Sequence, residues 1–155
     1  MPELIIKSRI EIAASPARVW EVLTDPSYTV QYMFNCQPVT DWRIGSPLLW
    51  RGASDGKDYV KGQVEHYEPP RMLRFTTFDP NAAIDDIPAN YVAVTYDLAR
   101  GGIGTVLTVT QGDYAHVADG ERRYKETGQG WDMVLARVKE IAEKPPAESG
   151  PATLC

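Results

Sequence analysis

Little in this sequence belongs to specialised chemistry. Histidine occurs twice, as His66 and His116, and cysteine twice, as Cys36 and Cys155. Neither histidine has a ligand partner at helical or strand spacing, so no metal site is expected. Two cysteines make no disulfide framework and no CxxC pair of a zinc or redox motif. They read as thiols of a cytoplasmic protein. Long apolar runs are missing too. The longest are four residues, Tyr91 to Val94 and Met133 to Ala136. A membrane span needs about 20, so none is expected. The N-terminus has no basic start followed by an apolar block, so no secretory signal is expected. Positive charge is not in excess. Sixteen basic against 21 acidic residues give a net charge of −5, which argues against a nucleic-acid partner. No GxSxG, no HExxH and no phosphate-cradling glycine loop with lysine occurs. Tyr96 and Asp97 resemble an acid–base pair, but strand neighbours point to opposite faces. No catalytic residue and no cofactor is expected.

What is present describes one ordinary domain. The chain has 155 residues, 43% hydrophobic and 24% charged. From Leu4 to Ile12, the residues Leu4, Ile6, Ser8, Ile10 and Ile12 share one face, the period of a half-buried strand. Ser15-Pro16 reads as an N-cap followed by proline at the first helical position. Val19, Trp20 and Leu23 give that short helix its apolar side. Asp25-Pro26 repeats the signal and predicts a second short helix, Ser27 to about Met33.

Cys36 to Gly112 is mostly strand. Gly45-Ser46-Pro47 separates a predicted strand at Val39–Trp42 from one at Leu48–Arg51. Tyr59–Tyr67 alternates, with Val60, Gly62 and Val64 on one face. Leu73, Phe75 and Thr77 continue that face after a tight connection at Glu68–Arg71. Asp79–Asn90 reads as a long loop. Tyr91–Leu98 and Val106–Gln111 alternate again around Arg100-Gly101-Gly102. Short turns between neighbours predict an antiparallel meander. The last element is a helix capped by Asp119 and running to about Ala142, about 34 Å long. Its stripe is Tyr124, Thr127, Trp131, Val134, Leu135, Val138, Ile141 and Ala142. Lys144-Pro145-Pro146 ends it. The expected division is a domain over 1–144 and a disordered tail over 145–155.

The long helix and the meander must each bury one face, so the sheet is expected to curve around the helix. This order resembles the START/Bet v 1-like helix-grip superfamily, in the branch similar to the activator of Hsp-90 ATPase. The resemblance is carried by the string from Ala14 to Pro26, by Gly62-Gln63-Val64, by Pro70 to Thr76, by Gly104 to Val109, and by Gly130-Trp131. The sequence departs from the family pattern at Tyr32-Met33-Phe34 and in the length of the Asp79–Asn90 loop. The implied fold class is α+β, a curved antiparallel sheet around a long C-terminal helix, with two short helices after the first strand.

The resemblance also implies an apolar cavity between sheet and helix. The inner faces offer Trp50, Val64, Phe75 and Val109 to line it, with polar atoms from Thr77, Tyr96 and Gln111. Tyr32, Gly130 and Val134 would close it from the helical side. Each also reads as plain core. Gly128 and Gly130 leave either room for a ligand or a close contact between helix and sheet. The expected function is cytoplasmic binding of a small hydrophobic molecule, by a monomer or homodimer, with no nucleic-acid and no membrane partner. Two alternatives come with the resemblance: a polyketide cyclase or aromatase-like enzyme, and a co-chaperone-type regulator of an Hsp-90 ATPase.

Overall fold

The structure, a computed structural model, describes residues 3–128 and 130–144. The expected tail, 145–155, lies outside the described residues. Strand β1 spans Ile6–Ile12, helix α1 Pro16–Thr24 and helix α2 Pro26–Tyr32. Strands β2 (Cys36–Val39), β3 (Pro47–Gly52), β4 (Asp58–Glu68), β5 (Met72–Thr77), β6 (Val92–Arg100) and β7 (Thr105–Gly112) follow. Helices α3 (Gly120–Gly128) and α4 (Trp131–Glu143) end the fold. All seven strands join one antiparallel sheet in the order β1-β7-β6-β5-β4-β3-β2. The fold is the helix grip, a curved sheet with a C-terminal helical arm and two short helices after the first strand.

Local chemistry explains the helix starts. The Ser15 hydroxyl accepts from the Arg18 backbone N–H at 3.2 Å. The Asp25 carboxylate accepts from the Ser27 N–H at 2.9 Å. Each cap precedes a proline that needs no donor partner. The helices then bury Val19, Val22 and Leu23 from α1 and Tyr32 from α2.

Three expectations need correction. The strand expected at Val39–Trp42 lies earlier, at Cys36–Val39. Thr40 and Asp41 bond the backbone N–H groups two residues on, at 3.2 and 3.0 Å, which turns the chain instead of extending it. Trp42 then stacks on Tyr67, with ring centroids 5.7 Å apart. Second, a register shift between Val64 and His66 interrupts the alternation of β4. Tyr67 therefore reaches the core side and meets Trp20 edge-on at 5.6 Å. The long C-terminal helix is present, described over α3 and α4, and the third correction lies at its start. Asp119 does not cap α3 through its side chain. Its carboxylate takes the Arg122 guanidinium.

Helix α4 packs on β1, α1 and α2, whereas α3 packs on a short 3-10 turn at Tyr114–His116. The α4 stripe buries Val134, Leu135, Val138, Ile141 and Ala142, each large aliphatic contributing about 1.5–3 kcal/mol. Arg18 ties its far end. The guanidinium donates to the carbonyls of Ile141 and Lys144, both at 3.2 Å, and to the Tyr28 hydroxyl at 2.9 Å. A cation on the last carbonyls of a helix also meets its negative dipole end. Arg18→Ala is expected to lower stability by about 1–3 kcal/mol in urea titrations, because these carbonyls lose their donors. An unchanged midpoint would show that the tie is dispensable.

At the β4–β5 turn, Glu68 accepts from Arg71 at 2.6 and 2.7 Å. This pair, with a smaller part from His66, holds the Glu68 carboxyl down at about 2. A carboxylate stabilised in the folded state contributes fully above pH about 4.5, and the contribution fades as pH falls toward 2. An NMR titration is expected to place Glu68 near that value, and Arg71→Gln to return it toward the ordinary carboxylate range. A normal midpoint in the wild type refutes the pairing in solution.

Candidate functional site

A cleft of about 1030 Å³ opens between the sheet and the helical arm. Its floor is the inner face of β3 to β7. Its walls are α3 with the start of α4, the segment after α2, and residues 79–84 of the long loop. Six expected lining residues meet here: Trp50, Phe75, Thr77, Gln111, Gly130 and Val134. The other four do not line the cleft. Tyr32, Val64, Tyr96 and Val109 are at most 4% exposed and belong to the packed core. Their inward direction was legible, but the helices fill the space in front of them.

Aromatic rings run from the cleft into the core. Trp50 lies 5.9 Å from Phe75, Phe75 5.8 Å from Tyr96, and Tyr96 6.1 Å from Trp131, centroid to centroid. The last two pairs are edge-to-face, the favoured geometry for such rings. Trp131 is the first residue of α4, and its indole Nε1–H donates to Gln111 Oε1 at 2.7 Å. No local sequence pattern joins a strand glutamine to a helix tryptophan 20 positions on. Phe78 was also missed, since it follows the alternating run Leu73, Phe75, Thr77. It is buried and stacks on Tyr91, with centroids 4.8 Å apart.

Most rim and wall polar groups are already engaged. The Thr77 hydroxyl donates to the Val92 carbonyl at 2.8 Å. Asp55 accepts from the Tyr59 hydroxyl, which holds its carboxyl below the usual range. Arg123 donates to the carbonyls of Asn90 and Ala118, both at 3.3 Å. Cys36 lies buried on the wall, and burial, with a smaller part from Asp55, pushes its thiol up. That is the opposite of what a thiolate nucleophile needs. Burial also pushes up the hydroxyls of Tyr32 and Tyr96. The Tyr32 hydroxyl donates to the Leu23 carbonyl at 2.6 Å. Tyr32 lies close enough to Tyr96 to offset part of that rise, yet Tyr96 makes no hydrogen bond of normal geometry. Among the described residues, no group of three or more His, Cys, Asp or Glu could hold a metal ion.

The fold is shared by known proteins. The family described as Activator of Hsp90 ATPase homolog 1-like protein matches residues 13–143. The chain belongs to that family. Its fold is similar to the solution structure of ChR145 from Cytophaga hutchinsonii, with a TM-score of 0.73 and 30% identity over 92% of this chain and 97% of that one. It is similar to the crystal structure of CalU16 from Micromonospora echinospora, with a TM-score of 0.64 and 25% identity over 91% and 75%. The Aha1 dimer from Colwellia psychrerythraea has the same fold, with a TM-score of 0.69 and 18% identity over 90% and 96%. No match to this chain was found among curated proteins. Among the described residues, no helix is long and apolar enough to cross a membrane.

The glycines of the arm and the sheet differ in what surrounds them. A Cβ at Gly130 would meet one atom within 4 Å, the Thr127 carbonyl oxygen at 3.6 Å, and one at Gly128 would touch only Ile6, at 3.7 Å or more. Neither is a forced close contact. Gly62 is the reverse: a Cβ there would collide with the Thr76 backbone carbonyl on the neighbouring strand. Gly130 has ordinary helical angles, φ −94 and ψ −27. Gly130→Ala is therefore expected to stabilise by about 0.4–1 kcal/mol. Gly62→Ala is expected to destabilise by about 1–3 kcal/mol or more. Thermal melting of both variants checks this, and a destabilised Gly130→Ala would show that the arm cannot accept even a methyl.

Proposed function

We propose that this protein binds a small, largely apolar molecule in the cleft between sheet and helical arm. The observation that carries this is the contrast within one fold. Leu107, Val109, Tyr96 and Val138 are wholly buried at one end, while the aromatic inner face continues into about 1030 Å³ of open space at the other. A ligand site has this form, a concave apolar wall with a few fixed polar groups. Family membership supports the reading, since the fold leaves such a space between its two layers. Burial holds the Cys36 thiol of the wall away from its thiolate, which favours binding over turnover. A cytoplasmic setting fits a free, buried Cys36.

The test is uptake of Nile red, an uncharged apolar dye, by wild type and by Val134→Phe. The wild type is expected to bind one dye with a rise in emission. The phenylalanine extends into the cleft, and is expected to weaken binding at least tenfold while shifting the melting temperature by only a few degrees. Folded wild type that takes up no dye, or full binding by the filled variant, would overturn the reading.

A further inference from the structure

Gln111 is the one buried amide side chain among the described residues that line the cleft, and it is only 8% exposed. It sits on the inner face of β7, opposite Val94 of β6 and Ile6 of β1. The Trp131 indole fixes its carboxamide. An indole N–H is a donor only, so it must meet the amide oxygen, as it does at 2.7 Å. The amide nitrogen is thereby turned away from Trp131. Among the described residues it has no hydrogen-bond partner. Gln111 lines the cleft beside Trp131 and Val94.

We propose that Gln111 is the anchoring and specificity-determining donor of the site, selecting an apolar ligand that carries a carbonyl oxygen. This rests on the binding reading above and adds what the ligand must present. The two N–H bonds of the amide are left to be satisfied by the occupant, and a buried donor without an acceptor is costly. An uncharged donor flanked by Trp131 and Val94 suits a neutral acceptor. An anion would lose its hydration without gaining a counter-charge, since Arg122 and Arg123 are engaged elsewhere. The Trp131 indole acts on the ligand through Gln111, by holding its amide in one orientation, and is a positioning residue.

A matched pair of planar probes tests this: 9-fluorenone, which carries a carbonyl, and fluorene, which has nearly the same shape without it. Dissociation constants are measured by tryptophan quenching for wild type, Gln111→Met and Trp131→Phe. The wild type is expected to bind fluorenone about tenfold more tightly than fluorene, the effect of one well-made hydrogen bond. Gln111→Met is expected to bind both probes equally, because the methionine keeps the length and loses the donor. Trp131→Phe keeps the donor and releases its orientation, so part of the preference is expected to remain. If wild type binds both probes with equal affinity, the anchoring role is overturned and the binding cleft stands. If the preference survives in Gln111→Met, another group reads the carbonyl and the assignment to Gln111 is overturned. If wild type binds neither probe, the cleft reading falls and this one with it. Should Gln111→Met fail to fold, Trp131→Phe decides the assignment: a reduced preference ties the donor to the amide that Trp131 holds, and an undiminished one overturns the role of Gln111.

Discussion

A single helix cannot cover the sheet that this chain makes. Seven strands at about 4.8 Å spacing give a surface about 29 Å wide. Helix α4 has 13 residues, so it is about 20 Å long and about 10 Å across. The sheet therefore curves, and the short helices α1 and α2 join α4 to cover what they can. What they leave open, over parts of β3 to β7, is the cleft. The space follows from the mismatch in size between layers, and the side chains there are those that a fuller cover would have turned into core.

The caps and the strand faces were legible because they are local. Ser15-Pro16 and Asp25-Pro26 announce two helices within four residues each, and period-two alternation tells which face of a strand looks inward. Alternation does not tell what stands opposite that face. Val64 and Phe75 are register partners on adjacent strands, yet one is sealed in the core and the other lines the cleft. The same holds for Val109 and Gln111, two places apart on β7. The long C-terminal helix was legible because its stripe keeps helical spacing through Thr127, Trp131 and Val134. The Gln111–Trp131 bond was illegible for a different reason. It depends on how α4 docks onto the sheet, which only the assembled fold decides.

The cations at the cleft are paired, in a chain with a net charge of −5. Arg122 meets Asp119 and Glu126, and Arg123 meets the carbonyls of Asn90 and Ala118. Exposed pairs of this kind contribute little stability. Their effect here is to occupy charges that would otherwise compete for an occupant of the cleft.

The two helices of the arm are held very differently. Helix α4 keeps six buried residues and the Arg18 tie, whereas α3 buries Gly120 alone and carries its ion pairs in solvent. Segments with few buried contacts open at a small fraction of the global unfolding free energy. Helix α3 is thus a wall of the cleft that can lift locally while α4 stays in place. Traffic between solvent and the inner space can proceed by such local excursions, and amide hydrogens in α3 will exchange by a route that does not require the grip itself to loosen.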